Sequence, residues 1–396
     1  MRVLMAHNHY RQRAGEDRVF ATERGLLHDH GHDVITYTVS NDDIPDRPGL
    51  REALQTVWNH HRYRDFRRVI RETAPDVVHF HNTFPILSLA PVYAARAERR
   101  PVVMTLHNYR FFCANGVLFR AGKVCEACVG RRVAWPAIVH RCYRDSLGGT
   151  TVVAGMQAFH RLGQTLHRKV DAFIALSDSQ KARLSRYGIA ASSIFVKPHS
   201  IHPDPQPGSG GGGYAMYVGR LSMEKGVTTL LEGLRRAARS LPTLVVGDGP
   251  LAPIVQEAAQ RNPRLRWLGT QSPGAVAALL GDAEFTIVPS EAHETFGLVV
   301  AESLAKGTPV LVSRAGALPE LVESSGAGRI FATGDPASLA GEIDWFAEHP
   351  VERAAMRQRA RQRYETAYSG AVNHERLVAI YHTALERHAR SFERIA

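Results

Sequence analysis

The chain has 396 residues, enough for two or three domains, and its 44% hydrophobic and 22% charged residues are ordinary globular usage, which excludes disordered, collagen-like and coiled-coil classes. Its 49 Lys and Arg against 38 Asp and Glu leave a net charge of +11, which favours phosphate-bearing small molecules, anionic lipid surfaces or nucleic acid. No run approaches the roughly 18 apolar residues of a spanning helix, and MRVLMAH lacks the apolar stretch and cleavage site of a signal peptide, so a cytoplasmic location is expected.

Short apolar, β-branched runs predict strands at 2–7 (RVLMAH), 33–39 (DVITYTV), 76–81 (DVVHFH), 101–107 (PVVMTLH), 171–177 (DAFIALS) and 193–197 (SIFVK). The amphipathic segment after the first run carries Val19, Glu23, Leu26 and His30 on one face and Phe20 and Leu27 on its neighbour, and Gly31 ends it. After the sixth run, HPDPQPGSGGGG reads as an interdomain linker. A second series begins with YAMYV (214–218), a helix from about Lys225 to Ser240, TLVVG (243–247), a helix near 251–261, RLRWLG (264–269) and EFTIVP (284–289). It continues with a helix from Gly297 to Lys306, TPVLVS (308–313) and GRIF (328–331). Such alternation implies parallel sheets covered on both faces, so the expected fold class is α/β, with two Rossmann-like doubly wound domains facing a central cleft. The first domain is placed at 1–205, with a cysteine-bearing insertion at 108–145. A linker at 206–213 leads to the second at 214–370, and 371–396 forms a C-terminal helix able to cross back to the first.

Ligands of open α/β sheets bind at the carboxyl ends of the strands, which gives weight to the residues just after each run. YVGRLSMEKG places Arg220 and Lys225 beyond a strand and at the opening of a helix, where two cations suit a diphosphate; the alternative is a solvated basic turn. LVVGDGP adds a tight turn with Gly247 and Gly249. In PSEAHETFGLVVAESLAKGTPV, Glu294 and Glu302 are eight positions apart with Phe296, Gly297 and Leu298 between them. A helical span would hold the two carboxylates about 12 Å apart, too far for the roughly 5 to 9.5 Å of a hydrolytic pair, so both read as binding groups. His79 and His81 alternate along a strand end, where one is expected to be packed, and His199 and His202 beside prolines read as loop residues.

The order VGRL, EKG, LVVGDGP, WLG and PSEAHETFGLVVAESLAKGTPV resembles the retaining, nucleotide-sugar-dependent glycosyltransferases of family 4, which have the GT-B fold. By that resemblance Arg220 and Lys225 neutralise the donor diphosphate, Glu294 holds the donor sugar hydroxyls and Glu302 the ribose hydroxyls. Gly297 and Leu298 supply backbone donors to phosphate, and the loop from Arg266 through Trp267 and Leu268 to Gly269 passes the base. Gly15 resembles the glycine that approaches the donor, and His107 the histidine beside the reacting face of the sugar. The resemblance implies hexose transfer to a hydroxyl of a glycan, a lipid-linked glycan or a small molecule, with no metal or other cofactor in catalysis. Three departures, RAGEDRVF for a paired-glycine loop, PHSIH for PNGID and Ala317 for a second glycine, bear on the acceptor and the sugar. A nucleotide-sugar epimerase of the same architecture is the alternative enzyme, although it would not need an acceptor loop.

Cys113, Cys125, Cys128 and Cys142 form one C-x-x-C flanked by single cysteines, which reads either as structural zinc or as unbound thiols or a redox pair. Trp58 to Glu72 combines Arg62, Arg64, Arg67, Arg68 and Arg71 with Trp58, Tyr63, Phe66, Val69 and Ile70, the composition of a helix lying on an anionic membrane. A surface helix packing its aromatic residues inward is the other reading. A basic, zinc-bearing nucleic-acid-binding protein would need cations interleaved with exposed aromatics on one face. Here they are spread among helices, so no nucleic-acid partner is expected.

Overall fold

The computed structural model describes residues 1–11, 15–46 and 49–393; Arg13 and Ala14 of the RAGEDRVF loop lie outside them. The first series runs β1 (Arg2–His9), α1 (Gly15–Asp29), β2 (Asp33–Ser40), α2 (Leu50–Val57), α3 (His60–Thr73), β3 (Val77–Phe80), α4 (Ala90–Ala97) and β4 (Val102–Thr105). A short antiparallel hairpin follows, β5 (Phe119–Arg120) and β6 (Lys123–Val124). After it come α5 (Trp135–Val139), α6 (Leu147–Leu162), α7 (Thr165–Lys169), β7 (Ala172–Ala175), α8 (Asp178–Arg186) and β8 (Ile194–Val196). The second series is β9 (Ala215–Val218), α9 (Val227–Arg236), β10 (Thr243–Val246), α10 (Ala252–Arg261), β11 (Leu265–Trp267), α11 (Pro273–Asp282), β12 (Phe285–Val288) and α12 (Leu298–Ala305). It ends with β13 (Val310–Ser313), α13 (Leu318–Val322), β14 (Gly328–Phe331), α14 (Pro336–Glu348), α15 (Pro350–Ala367) and α16 (Gly370–Glu393).

Two six-stranded sheets result, ordered β2-β1-β3-β4-β7-β8 and β11-β10-β9-β12-β13-β14, with every strand pair in them parallel. All four residues of β3, β4, β7 and β13 are buried, as expected of strands covered on both faces. In each sheet the strand order reverses at the first strand of the series. One switch point therefore lies beyond β1 and β3, and the other beyond β9 and β12.

The chain divides into two compact units. One comprises Met1–Leu118, Cys125–Pro198 and the chain from Asn373 onward; the other comprises Phe119–Val124 and His199–Val372. In the first unit, Leu377, Ile380, Tyr381 and Ala384 of α16 join Val3, Met5, Val77, Val103, Ala172 and Ile174 in a buried cluster. The division after Pro198 precedes the linker expected at 206–213. That stretch is held against its own unit: the Gly208, Gly210 and Gly212 amides donate to the carbonyls of Lys306, Gly281 and Asp282 at 2.9, 3.0 and 2.9 Å. A Cβ on Gly208 would fall 2.2 Å from Gly281 Cα, so the glycines serve close approach here, not flexibility.

Of the two readings of α3, the packing matches the surface helix that turns its aromatic residues inward. Phe66 and Ile70 are in the core, with Tyr63 and Val69 packed against it. Arg67 and Arg71 pair with Glu98, and Arg68 pairs with Asp65. Among the described residues no helix is long and apolar enough to cross a membrane.

Candidate functional site

In the second unit the turn after β9 and the loop after β12 meet at the switch point. Gly226, left-handed at φ 68°, lets the first pass so near the second that a Cβ would lie 1.8 Å from the Pro289 carbonyl oxygen. The Glu291 amide donates to the Glu224 carbonyl across the same seam at 2.9 Å. This contact brings Lys225 to Glu294: Nζ donates to Oε1 at 2.6 Å, and Ser290 Oγ donates to the same oxygen at 2.6 Å. Burial works against both charges, yet each partner outweighs it, so Lys225 is held above its ordinary value and Glu294 below the usual carboxylate range. Arg220 is exposed on the same turn.

The predicted neighbours take ordered positions in this unit. Gly247 has φ 132°, and a Cβ there would sit 1.9 Å from the Gly219 carbonyl oxygen. Its own carbonyl accepts from Trp267 Nε1 at 2.9 Å, and the Leu268 amide donates to Val245. Gly297, at φ 108°, caps α12, so that helix begins at Leu298 and not before. Glu294 therefore lies in a loop and Glu302 inside the helix, which removes the single-helix geometry considered from the sequence and keeps the two carboxylates on separate segments. Phe296 is buried, edge-on to His199 and Tyr368. Cations, a carboxylate and a helix start at one switch point can hold an anionic, hydroxyl-rich ligand.

In the first unit His107 follows β4, buried, with Nε2 at 3.1 Å from His81 Nδ1. A small pocket, open to solvent, is lined there by His107, His81, Glu16, Asn108 and Arg110. Gly15 opens α1 and is exposed. Next to it, Glu16 accepts from Tyr10 OH at 3.0 Å and from Asn108 Nδ2 at 2.7 Å, and burial pushes its carboxyl above the ordinary range. Sequence reasoning did not name Glu16, Ser290 or Lys197, and it placed Glu23 only as an acid on an apolar helix face, with no role in a site.

Among the described residues, two sets of three ligand atoms lie within 4.8 Å of one another: His7, His9 and Asp17, and Glu23, His79 and His81. The four cysteines are free thiols and form no such set. Cys113 donates to Asn115 Oδ1, while Cys128 and Cys142 pack among Phe84, Ala134 and Val153, where burial pushes the Cys128 thiol up. Cys113 and Cys125 lie near enough to Cys128 to push its thiol up further.

The family model described as Glycosyltransferase Family 4 matches residues 15–204, and that described as Glycosyl transferases group 1 matches 204–363. The chain is 27% identical over 350 residues to glycogen synthase of Mycobacterium tuberculosis, covering 84% of this chain and 72% of that protein. It is 22% identical over 384 residues to phosphatidyl-myo-inositol mannosyltransferase of Mycolicibacterium smegmatis, covering 90% and 87%. Among solved structures, sucrose-phosphate synthase of Thermosynechococcus elongatus superposes with a TM-score of 0.71 at 16% identity, over 96% and 98% of the chains. Anabaena Alr3699/HepE in complex with UDP and glucose gives 0.67 at 17% identity, over 96% and 98%.

Proposed function

For a chain that belongs to glycosyltransferase family 4, with the two Rossmann-like domains of the GT-B fold, we propose that the switch point of the second unit binds the donor and the pocket beside His107 takes the acceptor. The protein is a hexosyltransferase that uses a nucleotide sugar, and the glycosyltransferase relatives named above do not favour an epimerase. The observation that carries the donor site is the Lys225–Glu294 pair at 2.6 Å. Lys225 and Arg220 balance the diphosphate, Glu294 accepts from sugar hydroxyls, and Glu302 holds the ribose. Gly297 and Leu298 offer amides to phosphate, and Gly247, Trp267 and Leu268 border the base. Transfer is retaining: the bond from the anomeric carbon to the phosphate oxygen breaks, the acceptor oxygen bonds on the same face, and its proton leaves on the diphosphate. Cations at the diphosphate stabilise that leaving group without a metal. Release of nucleoside diphosphate measured across UDP-, GDP-, ADP- and TDP-sugars tests the reading. No release above background with any donor and a panel of hydroxyl acceptors would end it.

Peripheral attachment to an anionic membrane belongs to the same proposal, but on a different surface from α3. Helix α6 packs against α2 and α5, and these three leave Leu50, Leu54, Trp135, Val139, Phe159 and Leu162 exposed. Residues 127–170 hold one acid, Asp145, among Arg131, Arg132, Arg141, Arg144, Arg161, Arg168 and Lys169. Apolar anchors beside basic side chains suit an anionic interface. Sedimentation with anionic vesicles should fall when Leu54 and Leu162 become glutamine; equal sedimentation of that variant rejects the surface.

A further inference from the structure

His107 does not stand alone beneath its pocket. Behind it, in the first unit, runs a buried polar column contributed by five segments. Glu23 comes from α1, His79 from β3 and His81 from just past its end, His107 from the end of β4, Lys197 from the end of β8, and Asn373 and Tyr381 from α16. Lys197 Nζ donates to Glu23 Oε2 at 2.6 Å and to Asn373 Oδ1 at 2.9 Å, with Lys197 only 1% exposed. The other carboxylate oxygen of Glu23 lies 3.2 Å from His81 Nε2 and 3.2 Å from His79 Nδ1. His79 is further held by Tyr381 OH and Thr105 Oγ1, each at 2.8 Å.

We propose that His81 is a positioning residue, which fixes the tautomer and the ring plane of His107, and that Glu23, paired with Lys197, fixes His81 in turn. This rests on the reading that His107 lies beside the reacting sugar. The argument is one of proton placement. Burial opposes the charge on Glu23, but the Lys197 ammonium, followed by His79 and His81, keeps its carboxyl well below the usual range, so it is an acceptor only. His81 is neutral at ordinary pH, because burial and then the neighbouring His79 push it down to about 4. A neutral imidazole carries one proton. A bare lone pair on Nε2 would face the carboxylate at 3.2 Å, so the proton sits on Nε2.

His81 Nδ1 is then an acceptor. At 3.1 Å it faces His107 Nε2, which must be the donor of that bond. His107 therefore carries its proton on Nε2 and keeps its lone pair on Nδ1. The two rings lie 5.2 Å apart at 24°, so the bond also sets the ring plane. The charged or titratable groups around His81 are Glu23, Lys197, His79 at 4.4 Å between ring centroids, His107, and His7 at 6.3 Å. A tautomer defined by a carboxylate through an intermediate ring is how a histidine is held ready for one direction of proton transfer.

The test uses full-length protein with ¹⁵N-labelled histidine, whose ring nitrogens report which one is protonated, together with kcat and donor KM. His107 should show its proton on Nε2 at pH 7.5. In His81→Leu the His107 signal should become a mixture of tautomers, and kcat should fall at least tenfold with donor KM within threefold of wild type. His81→Asn, which returns an acceptor near the Nδ1 position, should recover most of both. A proton on Nδ1 of His107 in the wild type, or a His81→Leu protein with wild-type spectrum and kcat, overturns the proposal. Should His81→Leu not fold, Glu23→Gln combined with Lys197→Met, which removes the buried charges together, reads the same tautomer: a mixture supports the column and an unchanged His107 overturns it. His107→Ala separates the two readings. If it keeps kcat within threefold, the catalytic assignment of His107 has failed, whereas the tautomer result stands or falls by itself.

Discussion

Replacing Lys225 with alanine removes the cation that joins the turn after β9 to the loop after β12. Its ammonium is 2.6 Å from Glu294 Oε1, and its side chain is 36% exposed. The fold should lose little. Glu294 keeps the Ser290 hydroxyl on the same oxygen at 2.6 Å, and a partly exposed ion pair contributes about 1 kcal/mol or less. A change of that size lowers the melting temperature by roughly 2 to 4 °C in a domain of this length. Catalysis should lose far more. A charge-assisted contact to a leaving diphosphate contributes on the order of 2 to 4 kcal/mol at the transition state. At 1.36 kcal/mol per factor of ten, that is about 30- to 1,000-fold in turnover. Nucleoside diphosphate release at saturating donor and acceptor measures the loss, and titration calorimetry with free nucleoside diphosphate shows whether ground-state affinity falls with it. Lys225→Arg should retain more of both than the alanine variant. Turnover and nucleotide affinity within threefold of wild type in Lys225→Ala would refute the donor assignment.

Glu302→Ala should nearly abolish transfer while circular dichroism stays unchanged; turnover within threefold removes Glu302 from the ribose. Activity should survive exhaustive EDTA with metal content followed by mass spectrometry, since Arg220 and Lys225 supply the positive charge; complete loss restored by magnesium contradicts this. His7, lowered by burial and then by His81, and His81 itself both sit at about 4 in the fold, against about 6.5 unfolded. The unfolded chain takes up these protons first, so stability present above pH 6.5 should drain away as pH falls toward 4, by on the order of 3 kcal/mol for either ring. Thermal melts across that window that are flat would show both rings to be charged when folded. Gly208→Val should lower the melting temperature, because its Cβ would meet Gly281 Cα at 2.2 Å; an unchanged melt means the stretch does not pack as described.

Much of the fold was legible because its strands are short apolar runs: 101–107 narrows to Val102–Thr105, and 243–247 to Thr243–Val246. Donor-site residues were legible because they follow strands in one local order. The polar column was not, since Glu23, His81, Lys197 and Tyr381 are scattered over the chain, and only the crossing of β3, β8 and α16 brings them together. Composition misled where it had no partner in view. Arg67 and Arg71 of α3 meet Glu98, and the glycines near 210 meet the ends of α11 and α12, partners that no local window contains.

Helix α16 follows the whole second unit in the chain, yet it packs its apolar stripe on the first. A ribosome must therefore finish the second unit before the first can be closed. Until then Val3, Met5, Val77 and Val103 lack the part of their cover that α16 gives, and the Lys197 ammonium lacks the Asn373 side-chain oxygen. The nascent amino-terminal half thus exposes a sticky sheet face for the time needed to make some 170 further residues, His199–Val372. This makes it a natural client for chaperones that hold apolar surface during synthesis.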